Sequence, residues 1–517
     1  MTHRKSMQSM QSHPRSHPRS TLTVAEAFLR ERAERAETPG ASRRVFTRAE
    51  ATALADAVVQ MTSNPNLGAT ITHHAVAVTT IVRNDRLKCV DSDHLTLRIG
   101  TRLGCNIYVG VETSIRDLTL LQQVIKRTEM QVAPVIQSED TPLSAADDPV
   151  KSFLGPRTYL PVELWHDTTI DAMEHQRGVV LAQMIEQFRT ANLLGAASLA
   201  VCARAEIHRY TAGRTAWGES TDSEITATAR MMDGTASGWS GEAHRDWTKL
   251  DGVRVARQAI AMANRNRGAV RLEPGRYTAI LGPAAVGALV VQMSPLFEAV
   301  RIDGGSGPYG IPRTPDGREN RLGQRVADPR ITMWTDHNDP DGGDYPFFPD
   351  DGFPSGNNTW IKNGVLTALA YDVEYGMRRG KTPYKAPTAI RMSGGTTSIE
   401  EMIATCDRGI YVNRFSGVEV VDGPSGSMTG TTRDGCFFIK DGKIKTPVTN
   451  FRIYQSPFLS LNNVMALGVP QRVAFGFMPP HGGGHFGEAV DRWPLDPVIV
   501  PPLMVHDFNF SALCDAI

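Results

Sequence analysis

At 517 residues the chain is too long for one ordinary hydrophobic core, so two or three domains are expected, each burying its own apolar surface. Lys plus Arg and Asp plus Glu balance at 55 each, which argues against a polyanion-binding surface spread over the whole molecule, leaves room for a local patch, and makes nucleic acid a poor default partner. No run approaches the roughly 18 apolar residues that cross a bilayer, and the most apolar window, 279–291, is interrupted by Gly and Pro.

The first 22 residues are polar and positively charged, repeat Ser-His-Pro-Arg and lack an apolar h-region. They fail as a secretory signal and read as a disordered tail; a weak His tract of His3, His13 and His17 is the other reading. Residues 24–36 and 47–61 then have helical spacing of Ala, Leu and Val, with Thr47 and Glu50 forming a capping box for the second. The period changes over 70–82, 87–93, 95–101 and 106–111, short β-rich runs separated by polar turns that suggest an antiparallel meander. Ser114 is placed to cap a helix from 115 to about 130 whose apolar residues Ile115, Leu118, Leu121, Val124 and Ile125 share a face.

A Pro-, Ser- and Asp-rich loop, 135–165, leads to a long helix over 169–192. From Ser198 the earlier order recurs: strand (198–208), bend, strand (224–232), a Gly/Ser/Trp stretch, then a helix (252–266). This leaves open an internal duplication of 70–130 in 198–266. Beyond Leu272 strands and glycine turns dominate. The run 303–328 is a long Gly/Pro/Arg loop, a length that is usually functional or mobile. Strands are expected at 331–335, 358–361, 365–371, 409–414, 436–440 and 443–451, with Asn363-Gly364 and Asp441-Gly442 as hairpin turns at positive φ. The expected fold class is α+β: a tail over 1–22, an N-terminal α/β domain over 23–270 (antiparallel sheet with long helices), and a β-rich C-terminal domain over 271–517.

The cysteines Cys89, Cys105, Cys202, Cys406, Cys436 and Cys514 are scattered and form no Cys-x-x-Cys pair, which fits free thiols in a reducing cytoplasm. Cytoplasmic localisation is therefore expected.

Several segments in a fixed order carry a resemblance. Residues 331–340 form an apolar strand ending at Asp336-His337-Asn338-Asp339-Pro340; 348–354 read Phe-Pro-Asp-Asp-Gly-Phe-Pro; 361–366 read Ile-Lys-Asn-Gly-Val-Leu. A helix-like run at 398–403 precedes Arg408-Gly409-Ile410-Tyr411-Val412, and Gly435 opens a short apolar strand ending in Gly442-Lys443-Ile444. With the strand and helix at 274–298, this pattern over about 270–470 resembles the PmbA/TldE-like branch of the TldD/PmbA metallopeptidases. Active members carry His-Glu-x-x-x-His on that helix, where two imidazoles hold zinc and the Glu is the general base. Here the three positions fall on Val291, Gln292 and Leu296; Val and Leu offer no lone pair and Gln accepts no proton near neutral pH. None of the 14 histidines is followed by Glu, and none lies between His244 and His337.

The resemblance implies a chain with no catalytic residue, metal ligand or cofactor of its own. It would be one subunit of a heterodimer whose TldD-like partner bears the zinc, enclosing unfolded peptides or leader segments of modified peptides, with no nucleic acid or membrane partner. His481, His485 and Glu488 are the fallback donors for an independent metal-dependent peptidase, although Gly482-Gly483-Gly484 favours a flexible loop over a helical i, i+4 pair. A homo-oligomeric peptide-binding scaffold is the remaining alternative. Asp336, Asp339, Asp341 and Asp344 suggest calcium only weakly, since Pro340 and the missing terminal Glu break the EF-hand pattern, and a solvated turn is the expectation. Asp350 and Asp351 read as turn organisers rather than an acid/base pair, and Cys436 as a buried thiol rather than a nucleophile. Glu174-His175 reads as surface or interface, and Trp165, Trp217, Trp239 and Trp247 as core and contact residues.

Overall fold

The computed structural model describes residues 18–36, 44–64, 67–103, 107–114, 118–138, 155–304, 320–349, 352–423, 425–476 and 496–514. The N-terminal half is built on six antiparallel strands: β1 (Leu67–Val82), β2 (Arg86–Leu103), β3 (Ile107–Ser114), β4 (Leu194–Tyr210), β5 (Thr215–Arg230) and β6 (Ser237–His244), in the order β3-β2-β1-β4-β5-β6. Two three-stranded meanders thus meet at the central β1·β4 pair. Helices Arg48–Gln60 and Glu174–Thr190 precede the meanders, and Leu118–Ser138 and Gly252–Arg265 follow them.

Period-2 alternation assigns the two faces of this sheet. Ile71, Ala75, Ala203, Ala205, Ile207, Ile225 and Ala227 are apolar and buried beneath the helices, against residues such as Leu54, Leu121, Met184 and Ala259. The intervening positions, among them Thr72, Arg204, Glu206, His208, Asp222 and Glu224, point the other way, toward the C-terminal half.

Several elements differ from the sequence reading. The first helix, Pro18–Ala36, begins inside the expected tail, with Pro18 at its first position, where a missing N–H costs nothing. β2 is one strand through Asp91 and Asp93, because the charges have cationic partners: Arg32 reaches Asp93 at 2.8 Å and Arg177 reaches Asp91 at 3.2 Å. The expected helix 169–192 is broken between Asp167–Ile170 and Glu174–Thr190. β6 fills the Gly/Ser/Trp stretch, pairing with β5 along its whole length.

The C-terminal half contains β7 (Gly275–Leu281), β8 (Met333–Thr335), β9 (Asn358–Lys362), β10 (Val365–Leu366), β11 (Ile390–Met392), β12 (Arg408–Asp422), β13 (Ser427–Lys440), β14 (Lys443–Pro447), β15 (Phe451–Gln455), β16 (Val464–Leu467), β17 (Gln471–Arg472), β18 (Val498–Val500) and β19 (Leu503–Leu513). β12 pairs with both β7 and β13, so the ring β7-β19-β15-β13-β12 closes into a barrel, with β14 and β16 attached. A second sheet runs β10-β9-β8-β11-β18-β17. The main apolar core spans both sheets and the helix Pro283–Val291 between them. The two hairpin turns form as expected, with Asn363 and Gly364 at φ 49° and 78°, and Asp441 and Gly442 at 51° and 70°. The run 443–451 divides into β14 and β15, which pair with different stretches of β13. Among the described residues no helix is long and apolar enough to cross a membrane.

The close approach of β6 to the Gly252–Arg265 helix generates a prediction. A Cβ at Gly238 would overlap the Ala263 amide nitrogen and the Ala259 carbonyl oxygen, both backbone atoms that no rotamer change can move aside. Gly238→Ala is expected to lower stability by about 1–3 kcal/mol, and an unchanged thermal midpoint would refute this packing.

Candidate functional site

The helix after β7 is shaped by its two prolines. Gly282 is its N-cap, Pro283 takes the first position, and Val286 N–H donates to the Gly282 carbonyl at 3.0 Å. Further on, Pro295 has no amide hydrogen for the Val291 carbonyl and disfavours helical backbone at Ser294. The helix accordingly stops at Val291; Met293 N–H bonds the Val290 carbonyl at 2.9 Å, and Ser294–Phe297 continue as a 3-10 turn.

The three positions aligned with His-Glu-x-x-x-His therefore do not share one helix, contrary to expectation. Val291 is the last helical residue, Gln292 is the C-cap, and Leu296 lies in the 3-10 turn. Leu296 is fully buried, Gln292 is buried, and Val291 packs on the same core. A zinc peptidase site needs three protein donors around one open position, and these residues do not fit that metal. Among the described residues no three His, Cys, Asp or Glu side chains are grouped so as to hold an ion. His481, His485 and Glu488 lie outside the described residues, as do Asp350 and Asp351.

A charged site lies just past this turn. A cavity of about 420 Å³, with Glu298 and Val300 on one wall, opens between β4 and the C-terminal half. On the β4 side, Glu206 is held by Arg204, by His208 Nε2 at 2.6 Å and by the Thr72 hydroxyl at 3.2 Å, while His208 Nδ1 meets the Thr70 hydroxyl at 2.9 Å. Burial alone would raise the Glu206 carboxyl, but Arg204 and His208 hold it well below the usual carboxylate range. On the opposite side, Asp344 pairs with Lys385, whose ammonium also donates to the Tyr345 carbonyl at 3.1 Å. Burial again acts to raise Asp344, and Lys385 overrides it. Tyr345 ties the walls together: its hydroxyl donates to the Arg204 carbonyl at 2.9 Å, beneath the Arg204 guanidinium. Asp496, half-buried in the third wall, is pushed up to about 6 by burial and by the Asp344 charge, against the pull of Lys385 and the Thr388 hydroxyl.

A second set of contacts joins β5 to β17 and the segment after it. Asp222 pairs with Arg472, and a Glu224 carboxylate oxygen accepts from Phe475 N–H at 2.8 Å. Burial pushes Glu224 up to about 7; the Phe475 and Gly476 amides oppose this and Asp222 reinforces it.

The remaining sequence candidates are dispersed. Asp336 accepts from Asn357, Asp339 pairs with Arg391, Asp341 faces His244 at 3.5 Å, and Asp344 is interior, so the four form no cation loop and Asp344 is not part of a solvated turn. Cys436 is buried, and burial pushes its thiol up to about 12. Glu174 and His175 are exposed. Trp165 and Trp217 pack on one helix-covered core, Trp247 on another, and Trp239 lies under Arg414. The described cysteines are free thiols. Arg204, Glu206, Lys385 and Asp496 escaped the sequence reading; the available signal was the alternation of Cys202, Arg204, Glu206 and His208 within an otherwise apolar strand.

An N-terminal helix-backed sheet joined to a closed β-barrel defines a two-part architecture, and its C-terminal part is recognisable in sequence: residues 274–512 match the PmbA/TldA metallopeptidase C-terminal domain. The "Metalloprotease TldD homolog" proteins of Buchnera aphidicola and Haemophilus influenzae are each 27% identical over 162 and 214 residues, 29% and 38% of this chain. The matches span only 33% and 41% of the length of those relatives. Among solved structures, TldE from Thermococcus kodakarensis superposes with a TM-score of 0.65 at 15% identity, covering 88% of this chain and 98% of that one. A Bacteroides thetaiotaomicron protein described as a candidate modulator of DNA gyrase gives 0.70 at 15% identity, covering 91% and 100%. These similarities support the TldD/PmbA family, and the part of the chain that carries its domain in sequence is residues 274–512.

The Glu224 contact predicts a pH dependence. Its folded pKa of about 7 exceeds the ordinary 4.5, so the folded state binds this proton more tightly than the unfolded chain. That stabilisation is fully present below pH about 4.5 and is lost as pH rises through about 7. Glu224→Gln keeps an acceptor for Phe475 N–H and cannot ionise. From pH about 5 to about 8, wild type is expected to lose stability relative to the variant, by at most about 3 kcal/mol. Thermal midpoints that run parallel over this range would contradict the assignment.

Proposed function

We propose that this chain is a metal-free, PmbA/TldE-like subunit of a two-component metallopeptidase whose zinc is held by a TldD-like partner. The observation that carries the reading is the backbone at the motif positions. Pro295 separates Val291 and Gln292 from Leu296, and Leu296 is spent on the core, so neither the donors nor the shared helix face of a zinc site is present there.

The subunit's contribution is then architectural. It closes a chamber around unfolded or leader peptides, offers strand edges to which an extended peptide can add, and positions the partner's zinc. Such a chamber spares folded proteins because a peptide must enter extended. A cytoplasmic location accords with free thiols at Cys89, Cys202, Cys406, Cys436 and Cys514.

Purified alone, the chain is expected to carry no stoichiometric zinc or other transition metal and to leave casein peptides uncut. Co-expressed with a TldD-like protein, it is expected to co-purify with it and to be required for cleavage. Metal near one equivalent with activity in the single chain would overturn the proposal and place catalysis at His481, His485 and Glu488. Consistent failure to capture a zinc-bearing partner would favour a homo-oligomeric scaffold.

A further inference from the structure

More carboxylates than cations line the cavity between β4 and the C-terminal half. Five carboxylates line it, Glu206, Glu298, Asp344, Asp372 and Asp496, against two cations, Arg204 and Lys385. Both cations are committed: Arg204 to Glu206, and Lys385 to Asp344. Asp372 caps the helix Val373–Arg379 through the Tyr375 amide at 2.7 Å. Asp496 has the Thr388 hydroxyl but, among the described residues, no cation within ion-pair distance.

A carboxylate in this position costs free energy until a cation reaches it, and its elevated pKa reports that cost. The remaining walls suit a cation with an apolar stem. Tyr345, Phe347, Phe348 and Tyr384 supply aromatic surface, which attracts ammonium and guanidinium groups and covers methylenes. At about 420 Å³ the cavity lies in the range of small-ligand sites and can take a single long side chain. Its polar groups are fixed in advance, since Tyr345 is hydrogen-bonded to both β4 and β5 and Lys385 to the 344–345 backbone and side chain. A ligand therefore meets a formed site.

We propose that this cavity is a subsite for a basic side chain, Lys or Arg, of an extended peptide, with Asp496 as the carboxylate that pairs with it. The proposal deepens the reading above by naming a substrate chemistry, and rests on it only for the peptide as carrier of the cation. A chain with its own metal would fail the elemental analysis and still show the charge preference, so the two ideas can fail separately.

The test uses the purified full chain alone at pH about 8, where Asp496 is ionised. Acetylated, amidated pentapeptides Ala-Ala-Xaa-Ala-Ala are titrated calorimetrically with Xaa as Lys, Arg, norleucine or citrulline. The Lys and Arg peptides are expected to bind about tenfold or more tighter than their neutral counterparts, the size of one charge-assisted contact. Asp496→Asn is expected to bring each pair within about twofold. Equal binding by the neutral peptides, no binding by any of the four, or a charge preference that survives Asp496→Asn would each overturn the assignment. The first two comparisons need no variant and so do not depend on Asp496→Asn folding. Spermidine binding tighter than both basic peptides would assign the cation to a free polyamine and overturn the peptide subsite.

Discussion

The structure depends on a sheet that is buried on both faces, with helices over an apolar face and buried charges on the other, beside the small apolar cluster of Val76, Val78, Ala200 and Cys202. Helices cover the Ile71, Ala203 and Ile225 face, and the C-terminal half covers most of the other, where Arg204, Glu206, His208, Asp222 and Glu224 stand on neighbouring strands. Charges taken out of water are costly unless paired and hydrogen-bonded. The C-terminal half supplies those partners from separate stretches: Tyr345 for the Arg204 backbone, Arg472 for Asp222, and the Phe475 amide for Glu224. Pairing of this kind specifies position more than it adds stability. A slip of β4 by one residue would put Arg204 and Glu206 beneath the helices and Ala203, Ala205 and Ile207 against Tyr345, so register and domain placement are set together.

The region of the family's zinc motif obeys a different demand. A fully buried leucine contributes about 1.5–3 kcal/mol through removal from water, and Leu296 is in that situation. An imidazole in its place would sit among apolar groups, and Pro295 would still hold it off the helix that bears Val291. The departure from the zinc pattern therefore lies in the backbone as well as in the side chains. Three substitutions would not rebuild the site.

Much of the architecture is local enough to be legible in sequence. Thr47 and Glu50 form their capping box, the Asn363-Gly364 and Asp441-Gly442 turns adopt the positive φ their residues tolerate, and Gly252–Arg265 is a helix nearly to the residue. What escaped is non-local. β6 has too little apolar alternation to announce a strand, since its ladder comes from β5 and Gly238 is fixed by the helix pressed on it. β2 runs through Asp91 and Asp93 because Arg177 and Arg32, both distant in sequence, neutralise them. The charged cavity gathers residues near 204, 298, 344, 385 and 496, and Asp344 reads as a surface turn until Lys385 is seen beside it. No periodicity within a single window contains that information.

Metal sites and buried ion-pair networks tolerate change differently. Tetrahedral zinc requires several donors held at about 2.0–2.3 Å from one point, and one proline between two of the positions is enough to end that arrangement. Ion pairs spread over long strands have no such single point of failure: Glu206 has Arg204, His208 and Thr72, and Asp344 has both Lys385 and the Tyr345 amide. The Glu298 wall of the cavity begins two residues after Leu296, so the positions aligned with the zinc motif and the charged cavity are adjacent in the chain.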